Sequence, residues 1–292
     1  MKYIKPIAIF SFIIVLSVSA WFGWKYLNTP VYDTTKMVSY SFTLKNKTNQ
    51  VIKNPEFWTY APVTQNSSQQ CCKQLEVSHP YEVENDALGN QVLHFKLDPL
   101  PPFAVRVIRV KAEIQLASTP NKQYGFKPKG FVNKEPFLEI DHADIKAVAS
   151  NMRTETTLQT SRKTYDWVAK NVRDIGYLRD ARGALYALQN KQGDCTESAY
   201  LFVALARANG IKARAVGGYF MENNGLLRAT QYHEWAEFYQ DSAWHIADPQ
   251  KKVYDQFYSN YVAMHIVDNS NDSVFKFARF RHSGKGLKVK MN

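Results

Sequence analysis

The chain has 292 residues, a formal net charge of +11 and three cysteines. That length allows two domains of ordinary size. No recognition motif accompanies the charge, and His79, His94, His142, His245, His265 and His282 show no metal-ligand spacing, so nucleic acid, metal and cofactor are not expected.

Residues 1–30 read as a membrane-directing segment. Lys2 and Lys5 precede an apolar run from Pro6 to Trp24, with no charge until Lys25, and Trp21, Phe22, Trp24 and Tyr26 suit a membrane boundary. The expectation is a single-pass anchor with a cytoplasmic N-terminus and the remainder outside the cytoplasm. Val18-Ser19-Ala20 resembles a small-residue cleavage site and keeps a secreted product open as the alternative. Without Lys2, Lys5 and Lys25 the exported part keeps +8 of the +11. Lys276, Arg279, Arg281, Lys285, Lys288 and Lys290 crowd its end, as a solvated strand face or a surface attracted to anionic envelope polymer.

Residues 31–118 alternate apolar and polar side chains in short runs, among them Val38 to Leu44, Gln91 to Leu97 and Val105 to Leu116. Turn signals such as Leu88-Gly89-Asn90 separate them, which suggests an Ig-like β-sandwich domain. Cys71 and Cys72 are adjacent here, and a vicinal disulfide, a bond to another chain and a reduced pair all remain open. Residues 119–141 read as a linker. Residues 142–292 read as an α+β domain, with helical spacing at Ile145 to Val148 and Leu158 to Val172 and strand-like runs from Val253 to Lys290 closing it.

The densest signal lies at Gly193-Asp194-Cys195-Thr196-Glu197. Asp194 suits an N-cap, Glu197 completes a capping box and Gly210 suits a left-handed C-cap, so Cys195 stands in the first turn of a helix. Ala199, Phe202, Val203 and Ala206 share its face and anchor it. The helix end favours a thiolate, Asp194 and Glu197 oppose it, and a nearby imidazole is needed to complete the nucleophile. His233 opens one predicted strand and Asp248 ends the next. A turn at residues 241 and 242 sets Asp248 opposite Trp235 and diagonal to His233 on one face, within side-chain reach. That arrangement gives a nucleophile, a general base and an orienting acid in Cys195, His233 and Asp248. The Cys195 N–H is the natural oxyanion donor; Gln192 and the Trp235 indole are candidates for a second, but each reads more readily as a loop or packing residue and neither joins the catalytic set.

From Tyr165 to Asp248 the sequence resembles the transglutaminase-like superfamily, a branch of papain-like thiol enzymes. The resemblance rests on Gly183-Ala184-Leu185, Lys191 through Glu197, Ala204 to Arg207 leading to Gly210-Ile211 and Ala213-Arg214, Gly218-Tyr219, His233 with Trp235, and Trp244 with Asp248-Pro249. It implies a papain/transglutaminase-like fold of bacterial envelope type, with the nucleophile, base and acid roles falling on Cys195, His233 and Asp248. The implied activity is acyl transfer or hydrolysis at amide or peptide bonds through a thioester. Its substrate would be a protein, a peptide or an amide-bearing envelope polymer. A non-catalytic envelope adaptor retaining the fold is the alternative. Residues 221–231 read as a polar loop beside the site with few apolar groups to exclude water, which favours hydrolysis over cross-linking.

Overall fold

Alternation of buried and half-exposed residues shapes the first strands: in Thr34–Asn46, Val38, Tyr40, Phe42 and Leu44 are buried and the residues between them are not. The computed structural model describes residues 29–123, 128, 130–270, 273–277 and 279–292. Six strands come first: β1 Thr34–Asn46, β2 Glu56–Ala61, β3 Gln70–Val77, β4 Glu82–Asn85, β5 Gln91–Lys96 and β6 Val105–Leu116. β1, β6 and β3 form one antiparallel sheet, and β2, β5 and β4 another. Their buried faces share one core, in which the ring centroids of Phe42 and Phe57 lie 4.8 Å apart. Each such ring removed from water contributes about 1.5–3 kcal/mol. These two sheets with a common core correspond to the sandwich read from the sequence.

The chain continues through α1 Ala143–Ser150, α2 Thr157–Asn171, β7 Arg173–Asp174, α3 Gly183–Asn190, β8 Gln192–Gly193 and α4 Cys195–Ala208. It then forms β9 Ala213–Phe220, β10 Gly225–Leu226, β11 Tyr232–Gln240, β12 Ala243–Asp248, β13 Val253–Tyr254, β14 Tyr261–Ile266, β15 Phe280–Ser283 and β16 Leu287–Met291. The central sheet runs β13-β12-β11-β9-β14 and is antiparallel throughout. The fold is thus mixed α+β.

α4 is sealed at both ends as its sequence demands. Asp194 accepts from Thr196 N–H at 2.8 Å and Glu197 accepts from Asp194 N–H at 3.2 Å. At the other end Gly210 has φ +80°, and the bonds Ile211 N–H to Ala206 O and Gly210 N–H to Arg207 O complete a Schellman motif. The expectation of one buried face was too modest. Every residue from Glu197 to Arg207 is buried, because the helix is enclosed by other helices as well as the sheet.

The β11–β12 hairpin has the expected register. Asp241 and Ser242 both carry positive φ, the requirement of a type I′ turn, and Ala236 pairs with Ala247, which sets Trp235 opposite Asp248.

Two expectations need correction. Of the strands between Val253 and Lys290, β13 and β14 join the central sheet as expected, but β15 pairs with β2 and β16 with β1, and β10 also pairs with β1. Strand patterning reveals a strand but not its distant partner, and here β10 and β16 cover an otherwise open edge of β1. Residues 130–141 are not a free linker, since Phe131 packs edge-on against Trp244, Leu138 is buried and Glu135 pairs with Arg207. Tyr219, Val262 and Met264 of the central sheet also join the sandwich core. The membrane-directing segment, residues 1–28, lies outside the described residues. Among those described, no helix is long and apolar enough to cross a membrane.

Candidate active site

The start of α4 and the start of β11 meet in a cleft of about 690 Å³ lined by both Cys195 and His233. β11 brings His233 there because its partner on β9 is Gly218, and Gly217 lies beside Glu234. Side chains at these glycines would close the space: a Cβ on Gly217 would come within 1.9 Å of the Tyr232 hydroxyl, and one on Gly218 within 2.1 Å of Val262 O.

Behind the imidazole the hydrogen bonding is complete. His233 Nε2 and Asp248 Oδ2 are 2.6 Å apart, in a pair 5% and 1% exposed. Asp248 Oδ2 also accepts from the Tyr261 hydroxyl at 2.9 Å, and its Oδ1 accepts from Lys251 N–H at 3.0 Å. With Nε2 committed to the carboxylate, Nδ1 is the ring nitrogen left for the cleft. Tyr261 is itself held by Trp235, edge to face at 5.0 Å.

The thiol is held differently. Its polar neighbours are the Glu234 main chain and the Thr196 hydroxyl. In this resting geometry Cys195 and His233 line one cleft and, among the described residues, no hydrogen bond joins Sγ to the imidazole, a looseness common before substrate binds. Burial, reinforced by Asp194 and Glu234, pushes the Cys195 thiol up to about 12. The expected lowering by the helix end is therefore outweighed by desolvation and two acids, and the resting group is a thiol.

Asp194 and Glu197 do more than cap α4. Asp194 Oδ2 accepts from Leu178 N–H and Glu197 Oε1 from Arg182 N–H, so both tie the 174–182 segment to the helix start. Tyr177 on that segment is 76% exposed and, with Phe137 and Leu178, gives the cleft an apolar rim. The capping box uses the N–H groups of Thr196 and Asp194 but not that of Cys195, which stays an orphan donor of the first turn. Gln192 instead donates to the Tyr186 hydroxyl, and the Trp235 indole donates to Glu237. Neither belongs to the cleft.

Residues missed in the sequence also line the site: Tyr232, Glu234, Asn269 and Arg279. Burial pushes the Glu234 carboxyl up to about 7, with the Thr196 hydroxyl opposing and Asp194 and Glu197 adding to it. The 221–231 segment is pinned more firmly than a polar loop. Gly225 and Leu226 pair with β1, Leu227 is buried, and Arg279 bonds Ala229 O.

Comparison with known proteins bears on the fold. The sequence profile of the Transglutaminase-like superfamily matches residues 146–249. A putative cysteine protease from Cytophaga hutchinsonii superposes with a TM-score of 0.57 at 16% identity, covering 89% of this chain and 92% of that one. The periplasmic domain of TgpA from Pseudomonas aeruginosa matches at a TM-score of 0.40 and 15% identity, over 75% of this chain and 91% of its own. No curated protein sequence matches the chain. Residues 146–249, which hold the thiol, the imidazole and the acid, are a transglutaminase-like domain.

Proposed function

We propose that the protein is a cysteine-dependent hydrolase or acyltransferase acting on amide or peptide bonds, with Cys195 as nucleophile, His233 as general base and acid, and Asp248 as the acid that orients it. The observation that carries this reading is the 2.6 Å Asp248–His233 contact through Nε2, which leaves Nδ1 for the thiol in the same cleft. His233 Nδ1 takes the proton from Sγ as sulfur bonds to the carbonyl carbon, and the Cys195 N–H faces the developing oxyanion. The imidazolium then gives that proton to the leaving nitrogen as the C–N bond breaks. In the second step water or an amine adds to the thioester carbon, His233 removes its proton, and the C–S bond breaks to regenerate the thiol.

The anchored 221–231 segment offers no large apolar cover, which favours water as the acceptor. The substrate is a protein, a peptide or an amide-bearing envelope polymer. The protein acts outside the cytoplasm, tethered by its N-terminal segment or released after that segment is cleaved. The test is to incubate the protein with glutamine-containing peptides and a labelled primary amine. Release of ammonia or new amino termini, lost in Cys195→Ala, supports hydrolysis. Cys195-dependent amine incorporation supports transfer. A second reading, the non-catalytic adaptor, is favoured by the thiol's surroundings: burial, Asp194 and Glu234 push it up to about 12, and among the described residues no hydrogen bond joins Sγ to His233, whose Nε2 faces Asp248. Absence of any acyl-enzyme on Cys195 with all these substrates would favour the adaptor.

A further inference from the structure

Four carboxylates line the thiol cleft. Three have both oxygens engaged: Asp174 with Gly176 N–H and Gln250, Asp194 with Thr196 and Leu178 N–H, and Glu197 with Arg182 and Asp194 N–H. Glu234 is the exception. It is 9% exposed, it shares the Thr196 hydroxyl with the thiol, and its Oε2 has no partner among the described residues. Arg279 lowers the carboxyl by its charge, but it donates to Ala229 O and lies over the Tyr232 ring, so it leaves Oε2 without a hydrogen bond.

Glu234, Tyr200 and Asn269 also form a wall of a second cavity of about 340 Å³, which Asp268 and Lys276 line as well. The carboxyl therefore stands where the thiol cleft and this cavity adjoin. An unpartnered buried carboxylate destabilises the fold, and beside Sγ it also opposes thiolate formation. A positively charged donor at Oε2 removes both penalties at once. An ammonium group fits, because it is compact and brings three N–H donors.

We propose that Glu234 is the specificity-determining residue of the cleft, and that it accepts a hydrogen bond from a primary ammonium group of the substrate beside Cys195. The proposal rests on the reading of Cys195 as nucleophile. It deepens that reading: a bound cation cancels one of the two charges that add to burial in disfavouring the thiolate, so the correct substrate promotes its own attack. The ammonium belongs either to the amine acceptor or to a free amino group of the acyl donor.

Binding is tested first without turnover, with butylammonium as the probe and butanol as its neutral counterpart. At pH 8 butylammonium raises the melting temperature of the wild-type protein saturably, and Glu234→Gln weakens that binding at least tenfold. Alkylation of Cys195 by iodoacetamide at pH 8 is about tenfold faster in Glu234→Gln than in wild type, and butylammonium accelerates only the wild type. Equal effects of butylammonium and butanol, or equal effects on both proteins, overturn the proposal even if Cys195 is a working nucleophile. If Cys195 forms no thioester, turnover is absent while the binding result still stands, so the two failures are distinguishable. Turnover then identifies the source. A tenfold higher KM for the amine in Glu234→Gln, with kcat little changed, assigns the ammonium to the acceptor. A higher KM only for donor peptides with a free rather than acetylated amino group assigns it to the donor, and no change in either KM overturns the proposal.

Discussion

On one face of β11, His233 reaches Asp248, which also receives the Tyr261 hydroxyl and Lys251 N–H, so this network is closed within the protein. On the other face Tyr232 and Glu234, which also line the cleft, carry an enclosed hydroxyl and an enclosed carboxylate oxygen that have no partners among the described residues. The same strand is thus finished on the side that orients the imidazole and unfinished on the side that carries Glu234. The contrast separates what the fold supplies by itself from what a ligand must bring.

The largest expected effects break the finished side. His233→Ala lowers turnover by a factor on the order of 10³ or more, and Asp248→Asn by roughly 10²–10⁴, measured as kcat/KM on whichever amide substrate is found. Asp248→Ala also strands the Tyr261 hydroxyl and the Lys251 N–H, and denaturant unfolding should show a loss of about 2–4 kcal/mol. Wild-type turnover in either His233→Ala or Asp248→Asn would remove the catalytic meaning of this network.

The unfinished side should respond to pH with the opposite sign. Burial raises the Glu234 carboxyl from 4.5 to about 7, so its contribution to stability is fully present below about 4.5 and is lost as pH rises through about 7. Glu234→Gln removes that dependence, and it should be more stable than wild type at pH 8 by up to about 3 kcal/mol, with little difference at pH 4.5. Urea unfolding at the two pH values measures it, and a variant less stable than wild type at pH 8 contradicts the unpartnered carboxylate.

The smallest effects give the sharpest pairing, since each concerns a single tyrosine hydroxyl. Tyr261→Phe removes a donor from Asp248 and should lose about 1 kcal/mol. Tyr232→Phe removes a hydroxyl that bonds nothing among the described residues, and it should be neutral or slightly stabilising. Equal losses in denaturant unfolding would erase the distinction between the faces.

What the sequence reveals follows the range of each interaction. The limits of α4 are legible because Asp194, Glu197 and Gly210 act within a few residues, and the His233–Asp248 contact is legible because a two-residue turn fixes the register. Glu234 is not legible: in an alternating strand it reads as a solvated residue, and only the assembled cleft shows it enclosed. Nor is the destination of β15 and β16, because a strand pattern carries no address for a partner far away in the chain. The thiol's ionisation is not legible either, for a related reason. The helix end is visible in sequence, whereas desolvation and the proximity of Glu234 arise only on folding.

The return of β15 and β16 to the first sheets sets a timetable for biogenesis. Asn46 pairs with Leu287, so β1 leaves the ribosome long before one of its neighbours exists. At about 5–20 residues per second the wait is roughly ten seconds or more, during which an edge of β1 stands exposed to any other strand that passes. The intervening transglutaminase-like domain must emerge within that interval, and the first sheets reach their full pairing only after it. A newly made chain therefore matures from its middle and its two ends together, and chaperoned delay suits it better than folding in order of synthesis.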